Sequence, residues 1–409
     1  MKYIKKICIF TGNRAEYGLL RPLIIKINKQ KNFLTSVLIS GAHLQNEFGK
    51  TIIEIKKDKI KNYKLVNING NFKKDDNFNS MIIGNAIMKI SKELNKFKPD
   101  IFVVYADRFE GFAAMIASTQ MNIPTIHVEG GDITEGGALD DNVRHAMTKL
   151  AHFHLTTNYE ATKRIIAMGE EKWRVKTIGY PTVDLIKQKN YATESELKKK
   201  FNLKYDDKIV IFTQHSVTTE YEDSLNQLKK SLKALEKVSK EGIKIIITYP
   251  NNDIGSDLIL KSLKNKKYKN NNNISIYKSI GRYFYHGILA LGKNNKFKVC
   301  CVGNSSSGIK ETPIFNCPTV NIGSRQLGRL RSENIIDVDY NDKKIYLAIR
   351  KAFDDKKFIK QCLKCSNPYG IGNSAVKMIN FLNKIHYSKS KILKKKMTLD
   401  SKKLNKINI

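Results

Sequence analysis

The run His127–Ala146, HVEGGDITEGGALDDNVRHA, decides the fold. Just ahead of it and into it, Pro124-Thr125-Ile126-His127-Val128 is short, apolar and β-branched, the composition of a strand buried on both faces of a parallel sheet. Gly130-Gly131 ends that strand. From Leu139 onward Val143, Met147 and Leu150 recur at helical spacing behind Asp140 and Asp141, and acidic residues suit a helix's first turn. Glu129, Asp132, Glu135, Asp140, Asp141 and His145 are thereby drawn to the carboxyl end of one strand, the edge at which open α/β sheets bind ligands. Taken singly, Asp140 or Asp141 can serve only as a helix cap and His145 can simply face solvent. It is the cluster that carries the functional reading.

Working outward, the same strand, turn and helix pattern repeats. Ile7 to Phe10 reads as a first strand, ending in TGNRAEYG (Thr11 to Gly18) before a helix whose Leu19, Leu20, Leu23, Ile24 and Ile27 share one face. The turn matches neither the dinucleotide fingerprint nor the P-loop, because no second glycine or Gly-Lys-Ser/Thr follows at the needed spacing. Arg14 stands where a guanidinium can reach an anion at a helix N-terminus; its plainer partner is Glu16. Val37 to Ser40 makes another strand, and a helix is expected near Phe78 to Phe97. The strand Ile101 to Tyr105 ends in Ala106-Asp107-Arg108-Phe109-Glu110-Gly111, which brings Asp107 and Arg108 to the same sheet edge as Glu129 and Arg14. Strands at Phe153 to Thr156 and Val175 to Ile178 complete a doubly wound parallel sheet.

A lysine-rich stretch, Gln188 to Asp207, marks a domain boundary, and a second alternating block follows. Ile209 to Phe212 ends in TQHSVTT (Thr213 to Thr219), Ile243 to Tyr249 in Pro250-Asn251-Asn252-Asp253, Val299 to Val302 in GNSSSG (Gly303 to Gly308), and Thr319 to Ile322 in Gly323-Ser324-Arg325. Small residues in the GNSSSG turn let backbone N–H groups and hydroxyls close around a phosphate, with a plain N-cap as the simpler role. Glu311 offers paired acceptors suited to the two hydroxyls of a ribose. The expected organisation is an N-terminal Rossmann-like domain over 1–187, a C-terminal one over 188–373, a helix at 374–387 crossing back to the first, and a basic, solvated tail at 388–409.

Lys and Arg total 73 against 38 Asp and Glu, a net charge of +35. The excess is mostly lysine spread along the whole length, without the concentrated arginine and aromatic residues of a nucleic-acid reader, so no nucleic-acid partner is expected. The densest basic run, nine lysines and one Asp between Lys384 and Ile409, reads as a solvated extension. Six scattered cysteines, several inside apolar runs, read as reduced thiols acting as small hydrophobes. Cys362 and Cys365 have a metal-knuckle gap but no second pair, so no metal is expected. No apolar run approaches membrane-spanning length, and the N-terminus leads straight into a strand, so the expectation is a cytoplasmic protein with no membrane span.

Seven motifs in consistent order, TGNRAEYGLLRPL (Thr11 to Leu23), ADRFEG (Ala106 to Gly111), His127 to His154, QHSVTTE (Gln214 to Glu220), YPNNDIGS (Tyr249 to Ser256), GNSSSGIKE (Gly303 to Glu311) and NIGSRQLGR (Asn321 to Arg329), resemble the hydrolysing UDP-N-acetylglucosamine 2-epimerases of sialic-acid biosynthesis. The resemblance runs from about Lys6 to about Ile385. It implies a GT-B-like α/β fold, two doubly wound Rossmann-like domains facing across a cleft, and conversion of UDP-N-acetylglucosamine and water to N-acetylmannosamine and UDP. It places Asp107, Glu129 and Asp141, or its neighbour Asp140, as acid/base carboxylates and His215 near the leaving diphosphate. Arg14, Glu16, Arg108, Asn251, Ser305, Ser306, Glu311 and Arg325 fall at substrate- and nucleotide-binding positions. The family commonly has Gly where this chain has Ala106. The resemblance implies no cofactor and a homo-oligomer, a dimer or a tetramer. The alternatives are a hydrolysing epimerase of a UDP- or GDP-linked 2,4-diacetamido-2,4,6-trideoxy sugar, as in legionaminic-acid synthesis, and a non-hydrolysing epimerase.

Overall fold

The computed structural model describes residues 4–45, 52–70, 72, 77–134, 139–251, 255–264, 271–294, 296–385 and 387–399. They form two compact units. The first comprises Met1–Asp132, Asp140–Asp184 and Gly372–Ile409, and the second Ile133–Leu139 and Leu185–Ile371.

The first unit is built on seven parallel strands: β1 Lys5–Thr11, β2 Phe33–Ser40, β3 Tyr63–Val66, β4 Ile101–Tyr105, β5 Thr125–Val128, β6 Phe153–Thr156 and β7 Val175–Thr177. Their spatial order is β3-β2-β1-β4-β5-β6-β7, so the winding reverses between β1 and β4. Both faces are covered, and the period of two is visible along β1. Ile7 and Ile9 join the core under the Arg14–Ile27 helix, while Cys8 and Phe10 join the one under the Phe78–Phe97 and Phe109–Gln120 helices. The second unit has six parallel strands, β8 Lys208–Thr213, β9 Lys244–Thr248, β10 Ile274–Tyr277, β11 Lys298–Gly303, β12 Thr319–Ile322 and β13 Ile335–Val338, in the order β10-β9-β8-β11-β12-β13. Here the winding reverses between β8 and β11. Open α/β sheets hold ligands at such reversals, outside the carboxyl ends of the strands. Cys300 and Cys301 alternate between the two cores of this unit, packed as small apolar groups.

Near the C-terminus the Ser374–Lys384 helix belongs to the first unit, and its two ends show why it returns there. The Asp184 carboxylate accepts the N–H groups of Ser374 and Ala375, both at 2.9 Å, and the Lys5 ammonium donates to the carbonyls of Leu382 and Ile385, also at 2.9 Å. A negative group at the start and a positive group at the end complement the helix dipole. Met378, Ile379, Leu382 and Ile385 then complete the core beside β1.

The segment after Tyr387 corrects the expectation of a solvated tail. A short helix, Lys389–Leu393, buries Ile392 in that same core, and Thr398 donates its N–H to the Gly169 carbonyl at 2.8 Å. The fully buried Arg174 guanidinium donates to the carbonyls of Ile392 at 2.7 Å and Lys394 at 3.1 Å. Lys395 reaches the carbonyls of Lys149 and Ala151 and the Glu170 carboxylate, which also meets Lys149 and His154. Docking through main-chain carbonyls leaves little mark on the docked segment's sequence, which is why lysine-rich composition pointed to solvent. The tail beyond Leu399 lies outside the described residues.

Candidate active site

In the first unit the chain leaves β4 and β5 through two left-handed bends side by side. Ala106 has φ +56° and Glu129 φ +66°, and each is anchored to the next strand: Ala106 donates its N–H to the Val128 carbonyl and Glu129 to that of Leu155, both at 2.9 Å. Non-glycine residues held in this region are costly and cluster at functional sites. Buried His127 buttresses the first bend. Its Nε2 lies 2.6 Å from the Ala106 carbonyl, so it carries the ring proton, and Nδ1 meets the Thr148 hydroxyl at 3.1 Å. Burial pushes its pKa down to about 3, against the pull of the Ala106 carbonyl.

Asp107 follows the first bend, and Asp141 lies in the first turn of the Leu139–Leu150 helix. They are joined by a residue to which the motifs assign no role. Arg144, almost wholly buried, pairs through Nη2 with Asp107 and through Nη1 with Asp141, and Nη1 also donates to the Asp132 carbonyl at 3.1 Å. Burial opposes its charge, but Asp107, Asp141 and Asp132 outweigh that and raise its pKa. One guanidinium thus offsets the repulsion of a carboxylate group. The available signal was the three-residue spacing from Asp141 in a helix whose first turn is acidic. Asp140, one position earlier, is exposed, whereas Asp141 is engaged by Arg144. Glu135 lies outside the described residues.

At the β1 reversal, Asn13 caps the Arg14–Ile27 helix by accepting the N–H of Glu16 at 3.0 Å. Arg14 is exposed at the first helical position. Glu16 turns inward, accepting the Gly12 N–H at 2.7 Å, with its other oxygen buried and without a hydrogen-bond partner. Burial and the neighbouring Glu110 push its pKa up to about 8. Glu110 is raised by burial too, with Arg108 Nε at 3.3 Å pulling the other way. Glu16 therefore supports the turn from beneath.

In the second unit the β8 and β11 ends are locked together by Asn304, a buried side chain to which the sequence alone gave no role. Its amide accepts the His215 N–H at 2.7 Å and donates to the His215 carbonyl at 2.8 Å, while its own carbonyl accepts from Gln326 at 2.9 Å and from Arg325 Nη1 at 3.3 Å. His215 Nδ1 accepts the Asn251 N–H at 2.9 Å, which leaves the ring proton on Nε2. Burial, reinforced by Arg325, lowers the His215 pKa well below the usual range, so the ring is a neutral donor. Asn251 thus acts through its backbone; Asn252 and Asp253 lie outside the described residues. Gly303 is demanded by crowding, since a Cβ there would sit 1.9 Å from the Thr213 carbonyl oxygen at φ +127°. Ser305 then stands at the N-cap position of the Ser306–Lys310 helix without a side-chain capping bond, its hydroxyl 3.0 Å from that of Ser307, and Glu311 at the helix end meets His286 Nε2 at 2.8 Å. Among the described residues no group of three or more His, Cys, Asp or Glu side chains could hold a metal ion.

The chain has known relatives. Residues 25–383 match the family described as UDP-N-acetylglucosamine 2-epimerase. The chain is 34% identical over 338 residues to the GDP/UDP-N,N'-diacetylbacillosamine 2-epimerase (hydrolyzing) of Campylobacter jejuni, covering 83% of this chain and 85% of that one. It is 33% identical over 355 residues to a UDP-N-acetylglucosamine 2-epimerase of Neisseria meningitidis, covering 87% and 89%. With the UDP-N,N'-diacetylbacillosamine 2-epimerase (hydrolyzing) of Legionella pneumophila the identity is 31% over 382 residues, covering 93% and 96%. Among solved structures, that of the Neisseria meningitidis UDP-GlcNAc 2-epimerase bound to UDP-GlcNAc superposes with a TM-score of 0.77 over 93% of this chain and 100% of that one, at 19% identity, a likeness of fold. The fold is GT-B-like, with two doubly wound Rossmann-like units, and the chain belongs to the UDP-N-acetylglucosamine 2-epimerase family.

Proposed function

We propose that the chain is a hydrolysing 2-epimerase that releases UDP from a UDP-linked 2-acetamido sugar while inverting C2, and that its substrate carries a second acetamido group at C4. The observation that carries the reaction class is Arg144 bridging Asp107 and Asp141 beside the Glu129 bend. The C2 proton of the sugar is not acidic by itself, so departure of the nucleotide comes first. The C1–O bond breaks, the electron pair leaves with UDP, and the oxocarbenium-like C1 acidifies C2. A carboxylate of the first unit removes that proton and a C1=C2 double bond forms. Water then adds its oxygen to C1 as a second carboxylic acid returns a proton to C2 from the opposite face; the proton that the water sheds restores this acid, and the first carboxyl group releases the C2 proton to solvent. Paired carboxylates divide labour in this way in glycosidases. Asp107, Glu129 and Asp141 are the groups for these steps. In the second unit, the neutral His215 Nε2–H, Arg325 and the Ser305 and Ser306 turn take the diphosphate, where one well-placed donor is worth roughly 3 to 4 kcal/mol. Glu311 takes the ribose hydroxyls, and Arg14 contributes a cation for the phosphates.

The motifs alone favoured UDP-N-acetylglucosamine; two relatives named for diacetylbacillosamine, at 34% and 31% identity, support the diacetamido sugar instead. UDP-N-acetylglucosamine is the second reading, favoured by the 33% identical Neisseria relative. The test is incubation of the purified protein in D2O with UDP-linked 2,4-diacetamido-2,4,6-trideoxyglucose, its GDP counterpart and UDP-N-acetylglucosamine, followed by proton NMR. The expected outcome is free, 2-epimerised sugar with deuterium at C2, formed fastest from the UDP-diacetamido substrate. Protium retained at C2 refutes the carboxylate roles. Epimerised sugar still attached to UDP makes the protein non-hydrolysing, and turnover of UDP-N-acetylglucosamine alone makes the second reading correct.

A further inference from the structure

The Gly281–Leu291 helix contains none of the motifs read from the sequence, yet two consecutive side chains on it grip the Gly303–Glu311 turn. His286 is fully buried. Its Nε2 lies 2.8 Å from Glu311 Oε2, and its Nδ1 is buried without a hydrogen-bond partner. Because a carboxylate only accepts, the ring proton sits on Nε2 and is donated to Glu311, which fixes one carboxylate oxygen and leaves the other for a ligand. Tyr285 places its hydroxyl 2.8 Å from Ser307 Oγ, which in turn lies 3.0 Å from Ser305 Oγ. The helix is a rigid support, because Gly287 backs closely onto Ala192, where an added Cβ would lie 2.8 Å from the Ala192 carbonyl oxygen. Ala192 also donates its N–H to the Tyr283 carbonyl at 3.0 Å.

We propose that Tyr285 and His286 are positioning residues for the nucleotide: Tyr285 orients the Ser307 and Ser305 hydroxyls toward the diphosphate, and His286 holds Glu311 in the rotamer that receives the ribose hydroxyls. The inference rests on the reading above in which Ser305 and Glu311 bind the nucleotide. Its physical basis is preorganisation, since side chains already fixed lose little freedom when the ligand arrives. The two arms act on different parts of the ligand, so they separate in experiment.

Calorimetric titration of the purified full chain with UDP and with 2′-deoxy-UDP measures both arms. The wild type is expected to prefer UDP. His286→Phe should lose about tenfold in UDP affinity and much less in 2′-deoxy-UDP affinity, erasing the preference, and His286→Gln, whose amide can donate to Glu311, should restore part of it. Tyr285→Phe should weaken both ligands by the same factor and keep the preference. If His286→Phe does not fold, His286→Asn, too short to reach Glu311, takes its place. Glu311→Gln separates the two readings: if it keeps the preference for UDP, the ribose reading of Glu311 is wrong and the proposal falls with it. If Glu311→Gln loses the preference and the His286 variants keep it, only the proposal is overturned.

Discussion

Glu16 illustrates what a single residue contributes beyond its motif. It supports the Gly12 turn while sharing a buried space with Glu110, near Arg108 and Asp107, and its pKa of about 8 compares with 4.5 for an ordinary glutamate. Between those values the unfolded chain has released a proton that the folded chain retains, so stability falls as pH rises through this window. The contribution is fully present below pH 4.5 and gone above about 8. Glutamine keeps the oxygen that accepts the Gly12 N–H and carries no charge, so Glu16→Gln removes the slope, which amounts to about 1.4 kcal/mol for each pH unit crossed. Thermal melts of both proteins at a series of pH values should show the variant's advantage in Tm growing by several degrees from pH 5 to 8 and then levelling off. A difference that does not change with pH would mean that Glu16 is ionised in the fold. Such environments were not legible in the sequence. Glu16 was placed with the ligand residues by its motif, and nothing in the identity of Ala106 announces φ +56°, although the family's usual glycine at that position has its physical reason there. Arg144 and Asn304 were in plain view within quoted motifs, but their roles depend on which side chains the fold brings to them.

At the scale of elements, legibility followed burial. The interior strands β1, β2, β4, β5, β6, β8, β9, β11 and β12 are readable as short apolar runs because parallel strands covered on both faces contain little else. Of the four edge strands, the sequence reading includes β7 but not β3, β10 or β13: Tyr63–Val66 buries only its last residue, Ile274–Tyr277 only its first, and Ile335–Val338 none. An edge position relaxes the demand for apolar residues and erases the pattern. The docked segment after Tyr387 is the same effect at its extreme, with one buried isoleucine among lysines. Removing it should nevertheless be costly. A chain ending at Tyr387 would leave the Arg174 guanidinium, still paired with Glu171, without its Ile392 and Lys394 carbonyls, and Glu170, still paired with Lys149 and His154, without Lys395; each hydrogen bond lost to a charged group costs about 1.5 to 3 kcal/mol. The shortened protein is expected to melt several degrees below the full chain. An unchanged Tm would show that the segment contributes nothing to the first unit.

At the scale of the whole molecule, the two units differ in how the chain supplies their cores. Among the described residues, both cores of the second unit draw only on the continuous stretch between Ile186 and Cys362. The first unit is different: the core on one face of its sheet is complete by Ala151, but the other needs Met378, Ile379, Leu382, Ile385 and Ile392 from the far end of the chain. Losing a buried leucine, isoleucine or methionine side chain typically costs about 2 to 5 kcal/mol each, against a total domain stability of roughly 5 to 15 kcal/mol. A fragment spanning Leu185–Ile371 should therefore fold alone with a single sharp thermal transition. A fragment ending at Asp184 should not, because the face that receives the Ser374–Lys384 helix would be exposed to water; it should bind a hydrophobic dye and melt without cooperativity. Supplying residues 372–399 as a separate peptide should restore a cooperative transition and displace the dye, since Asp184 and Lys5, the groups that hold the returning helix at its two ends, are both present in the fragment. Cooperative melting of the 1–184 fragment by itself would show that the returning helix decorates a finished core, and the first unit would then be free to form before the second has been made.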